Sequence, residues 1–244
     1  MTIRSSHSLA AMMVFSAACA FAQDTRVPYP PAITPDMLDR HTVRLIPPEM
    51  IAPGQYRIGD IQLNKLEKSV TFPATVNMNK NTGLLEYLLV RTSGKTYESV
   101  LRTDIEPYNL QLACLLVGLE GTNAPLGFQG DPATPRGDSV EIVVQIKGAD
   151  GKPQTVSPEA WMMQVEGETK RDVPPLRWVY TGSMVHNGRF AAQMGGSIVA
   201  LYHDPVAMID NASPGGESDK IWFAREDAAP PVGTPVMVTI RSKK

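Results

Sequence analysis

Cysteine is nearly absent: the 244-residue chain has two, Cys19 and Cys114. If residues 1–22 are removed as a leader, Cys114 stands alone, so no internal disulfide forms and burial must stabilise the domain unaided. The same count excludes iron–sulfur clusters and structural zinc sites built on cysteine. Basic clusters are missing except at the end, where Arg241, Lys243 and Lys244 gather. Nucleic-acid binding is therefore disfavoured. No apolar run reaches the roughly 20 residues that span a bilayer, and no transmembrane helix is expected after cleavage. There is no G-x-S-x-G elbow, no cofactor motif and no internal repeat, so no cofactor is expected.

What is present begins with a short basic start at Arg4, an apolar run from Leu9 to Ala22, and Ala20-Phe21-Ala22 ahead of Gln23. That pattern fits a signal peptide over 1–22 with a small-x-small cleavage site, and places the protein outside the cytoplasm, periplasmic or secreted. Ser16-Ala17-Ala18-Cys19 resembles a loose lipobox, making a lipid anchor at Cys19 the alternative. Ser16 stands where Leu is usual, which favours cleavage after Ala22. Removing the leader takes away one charge, Arg4, and moves the net charge from −2 to −3.

Residues 23–55 hold seven prolines (28, 30, 31, 35, 47, 48 and 53) and read as an extended arm or linker. From Tyr56 the pattern turns to β-branched and aromatic residues, with strands expected near 57–63 and 69–78. Leu84–Val90 and Tyr97–Leu101 flank Ser93-Gly94, which predicts a central hairpin with Gly94 supplying a positive φ. In that register Glu86 faces Leu101, and Leu89 faces Glu98 on the opposite side of the ribbon. Pro107 opens a helix that is apolar nearly all round, ended by Gly118 or Gly121 and buried against the sheet. Residues 121–137, rich in Gly and Pro, read as a long loop. Ser139–Lys147 is an expected strand, and Ser157-Pro158-Glu159 an N-capped short helix. Further strands are expected at Arg177–Thr181, Arg189–Gln193, Ser197–Tyr202, Lys220–Ala224 and Pro235–Arg241.

Together these elements make an α+β, mainly β fold. One compact β-rich domain over 56–242, with a buried helix after a central hairpin, follows the signal peptide and the Pro-rich arm.

Gly83 to Val90, Gly94 to Leu101, the helix ending Leu115-Leu116-Val117-Gly118, Thr181-Gly182-Ser183 after Trp178, the Ile198-Val199-Ala200 strand, and Pro231 to Val236 follow one another in a telling order. That order of segments resembles the YdjY-type domain family of bacterial exported proteins. The resemblance covers roughly Tyr56 to Ser242. It implies localisation and domain extent, and brings no catalytic set, because the family is one of unknown activity.

Four constellations remain. Ser99, Ser183 and Ser197 accompany Asp and His elsewhere, without an elbow or a convincing base among His41, His186 and His203. His186, His203 and Asp204, with Asp219, form the metal alternative, against turn and strand-exit roles for the same residues. Lys95, Glu98 and Glu86 are the catalytic candidates, since a carboxylate among Leu89, Tyr87 and Val100 has a raised pKa unless paired. Arg91 and Arg102 are its expected structural partners. Trp161, Trp178 and Trp222, with nearby methionines, line a ligand cleft or pack the core. Cys114 reads as an inert buried thiol. The expected function is an exported, non-catalytic domain that binds an envelope protein or small ligand. The alternative is an enzyme of hydrolase-like or metal-dependent type using Glu98 or the His186/His203 pair.

Overall fold

The computed structural model describes residues 45–80, 83–148 and 150–243. The expected leader, Cys19 and the arm up to residue 44 lie outside the described residues. The chain opens with an antiparallel meander, β1 (Glu49–Ala52), β2 (Gln55–Ile58), β3 (Ile61–Asn64) and β4 (Ser69–Val76). After it come β5 (Tyr87–Arg91), a 3-10 turn Thr96–Glu98, β6 (Ser99–Thr103), helix α1 (Pro107–Leu116) and the long strand β7 (Asp138–Lys147). The next strands are β8 (Pro153–Val156), β9 (Met162–Glu166), β10 (Thr169–Asp172), β11 (Trp178–Tyr180), β12 (Val185–His186) and β13 (Arg189–Phe190). The chain ends with helix α2 (Ala191–Gly195), β14 (Ser197–Ala200), β15 (Ile209–Asn211), β16 (Trp222–Ala224) and β17 (Pro235–Ser242).

Eight of these strands close into a barrel in the order β4-β17-β7-β11-β15-β14-β5-β6, with β6 pairing back onto β4. Period-two patterning explains its interior. In β4 the buried residues Val70, Phe72, Ala74 and Val76 alternate with half-buried neighbours. Cross-strand register carries that face round the ring: Val238 opposes Phe72 and Val144, Ile240 opposes Val70 and Ile142, and Leu101 opposes Val76 and Leu89. Closure gives each of these strands a neighbour on both sides.

Pro73 stands inside β4 without breaking it. On one side of β4, β3 pairs only over Ser69–Thr71 and β6 only at Thr75 and Val76, so Pro73 falls where the neighbour changes.

The central hairpin is a correction. β5 and β6 pair in parallel, with Tyr87 opposite Ser99, Leu89 opposite Leu101 and Arg91 opposite Thr103. The segment 92–98 is a crossover, turned by bonds from Thr96 N to Gly94 O and Glu98 N to Lys95 O. Gly94 is needed for closeness and not for a positive φ: a Cβ there would sit 3.0 Å from Gly195 O and 3.3 Å from Gly196.

Helix α1 forms where expected and ends at Gly118, whose φ is +82°. Leu110, Ala113 and Cys114 are buried, yet Leu115 is 55% exposed, so the helix buries one face and not its whole circumference. The strand expected over 57–63 is split by Gly59 at φ +58°. Arg189–Gln193 changes from strand to helix after Phe190, where Ala-Ala-Gln-Met favours α1-like geometry and Gly196 caps it at φ +71°. Pro158–Trp161 is a 3-10 turn, and the Ser157 hydroxyl bonds the Glu159 carboxylate and not the backbone.

Candidate functional site

Parallel pairing of β5 and β6 sets the start of β6 beside the start of β5. Glu86 N donates to Glu98 O at 3.0 Å, which sets the two acidic residues side by side. Lys95, midway along the crossover, lies over them: its Nζ is 2.9 Å from Glu86 Oε2 and 3.0 Å from Glu98 Oε1. A hairpin would have put the two carboxylates on opposite faces of the ribbon. Gln129, from the long loop, donates to the same Glu86 Oε2 at 2.8 Å. The Lys95 ammonium also stands 5.3 Å from the Tyr87 ring centroid.

The electrostatics of this trio are uneven. Burial pushes the Glu98 carboxyl up to about 7; the Lys95 contact opposes that rise, and the neighbouring Glu86 adds to it. Glu98 Oε1 is itself buried and makes no hydrogen bond, because the nearby ammonium is poorly aligned. Burial works against the charge on Lys95, but its hydrogen bond to Glu86 and the close approach of Glu98 outweigh that and raise its pKa. The trio is thus a lysine held by two acids, of which Glu98 keeps its proton into the neutral range.

Tyr202 completes the surface. Burial raises its phenol, and the nearby charges of Asp219 and Glu86 raise it further. Its ring needs Gly130, where a Cβ would come 2.1 Å from the hydroxyl. Gly130 N bonds His203 O at 2.8 Å, and His203 N bonds Gly216 O at 2.7 Å, so the loops around 130 and 216 are fastened to the exit of β14. Behind Tyr202 lies a buried polar layer. Tyr87 Oη donates to Asp204 Oδ2 at 2.7 Å, and Asp210 Oδ2 accepts from Asp204 N at 2.9 Å. Burial holds Asp210 well above the usual carboxylate range.

Of the residues singled out in the sequence, Glu86, Lys95 and Glu98 converge. The expected partner Arg91 instead pairs with Glu106, and Arg102 lies on the outer wall. His186 is exposed on the β12–β13 ribbon, while His203 is buried with Nδ1 at 2.7 Å from Asp131 O and Nε2 at 2.8 Å from Asn211 O. Both ring nitrogens of His203 lie within hydrogen-bond distance of backbone carbonyl oxygens, so the ring is held by the backbone. Among the described residues no group of three His, Cys, Asp or Glu is placed to hold one. Trp161 and Trp222 are buried in the core, and Trp178 is buried at the edge of a small hollow of about 160 Å³, its Nε1 bonded to Glu159. Ser183 Oγ is tied to Val206 O, and Ser99 Oγ donates to Leu101 O. Burial raises the Cys114 thiol to about 12, which makes it inert.

The YdjY domain model matches residues 61–241. The chain belongs to the YdjY domain family. The matched span holds β3 through most of β17, and so the barrel and every member of the Lys95 cluster. Comparison with curated proteins and with solved structures finds no match. Sequence reasoning missed Gln129, Tyr202 and Asp210 in this YdjY domain. Gln129 carried one signal, its place between Gly127 and Gly130 in a loop too long to be a plain connection.

Proposed function

We propose that the protein is an exported domain of the cell envelope that binds a hydroxyl-rich ligand, such as an oligosaccharide, over Glu86, Lys95, Glu98, Gln129 and Tyr202. The convergence of Glu86, Glu98 and Lys95 carries this reading. A neutral carboxyl, a carboxylate, an ammonium, an amide and a phenol alternate donors with acceptors, as a hydroxyl-bearing ligand requires. Tyr97 and Phe128, exposed neighbours in the chain of Glu98 and Gln129, offer aromatic faces nearby. Export rests on the leader expected at 1–22.

The test is calorimetric titration of maltotriose, cellotriose and chitotriose into the wild type and Glu98→Gln. Binding of at least one sugar that is lost in a folded Glu98→Gln protein supports the reading; no binding of any overturns it. The proton retained by Glu98 beside Glu86 favours a second reading, an acid–base hydrolase with Glu98 as proton donor. Release of reducing ends from the same sugars distinguishes it from binding alone.

A further inference from the structure

The outer wall of the barrel opens where β4 exchanges β3 for β6. A cavity of about 290 Å³ lies at that gap, lined among others by Asp60, Thr75, Thr92, Arg102 and Asp104. A second hollow of about 290 Å³ shares Asp60 and Pro73 with it. Several polar groups of this wall are used by the scaffold. Thr103 Oγ1 donates to Pro73 O at 2.7 Å, and Thr92 donates to Thr103 O from both its N–H (2.8 Å) and its hydroxyl (3.2 Å). Arg102 is different. It is half-buried, and its guanidinium makes no hydrogen bond or ion pair with a described residue, whereas Arg91 on the adjoining strand is tied to Glu106.

A planar guanidinium that no described residue engages is suited to a carboxylate, which it grips with two parallel bonds. Asp60 and Asp104 would repel a simple anion at that spot. Both signs of charge are satisfied together by a zwitterion. The volume lies at the low end for small-molecule sites, so the ligand is small. We propose that this cavity binds a free α-amino acid with a small side chain, its carboxylate on Arg102 and its ammonium toward Asp60 and Asp104.

The test titrates L-alanine, N-acetyl-L-alanine and L-alaninamide into the full-length protein by calorimetry. Saturable binding of L-alanine is expected, weakened by at least about tenfold for each blocked analogue and for Arg102→Gln. Asp104 is exposed, so Asp104→Asn serves if Arg102→Gln fails to fold; it is expected to narrow the gap between alanine and its N-acetyl analogue. The proposal is overturned if alanine does not saturate the wild type, if both blocked analogues bind as well as alanine, or if the folded variants bind and discriminate as the wild type does.

Discussion

Glu98 shows what a single side chain contributes here. Folded, it keeps its proton to about pH 7; its ordinary value is 4.5. Its contribution to stability is therefore fully present below pH 4.5 and is lost as pH rises through about 7, with a slope of at most about 1.4 kcal/mol per pH unit in between. Asp210 acts in the same direction and stays in place when Glu98 is changed. Thermal melting between pH 4.5 and 7.5 should accordingly fall more steeply for the wild type than for Glu98→Gln; parallel curves would remove Glu98 from the account. Gly130 makes a steric prediction. At φ +79° and with a Cβ 2.1 Å from the Tyr202 hydroxyl, Gly130→Ala should cost about 1–3 kcal/mol in urea unfolding. The acidic and lysine residues were legible in the sequence as candidates, because charge inside an apolar run is conspicuous. Gln129, Tyr202 and Asp210 were not, since a loop amide, a strand-end tyrosine and an acid in a three-residue strand look the same whether or not the fold later draws them together.

Among the elements, α1 was readable from Pro107, its apolar run and Gly118, and β7 and β17 from β-branched runs. The parallel pairing of β5 and β6 was not readable. Two apolar runs around a Ser-Gly predict a tight turn, and nothing local says that Gly94 is there to admit Gly195 and Gly196 from a segment a hundred residues later. The short strands β9 and β10 were equally hidden, because β10 (Thr169–Asp172) is exposed along its length and shows no hydrophobic period. The one-sided burial of α1 has a measurable consequence. Leu110→Ala should destabilise by about 2–5 kcal/mol, while Leu115→Ala should stay within about 0.5 kcal/mol. Denaturant melts of the two variants separate a helix with one buried face from one that is buried all round.

At the scale of the molecule, the barrel turns a run of short strands into a structure with one continuous interior. β4 joins its two halves, holding β17 along its whole length and, on its other side, β3 and then β6 in succession. Amide hydrogen exchange should therefore be slowest in β4, β17 and β7, and fast in β1 and in the β12–β13 ribbon, which stand outside the ring. A mainly β domain with an internal helix was evident from composition and period. Ring closure was not, because it depends on pairings between strands far apart in the chain.

The parallel crossover is what puts two acids against one lysine, and a carbon-13 NMR titration of the glutamate side-chain carboxyls reads that arrangement most directly. The Glu98 carboxyl is predicted to titrate with a midpoint of about 7, and the midpoint is predicted to move down in Glu86→Gln. A Glu98 midpoint near 4.5, unmoved by the Glu86 substitution, would contradict the account.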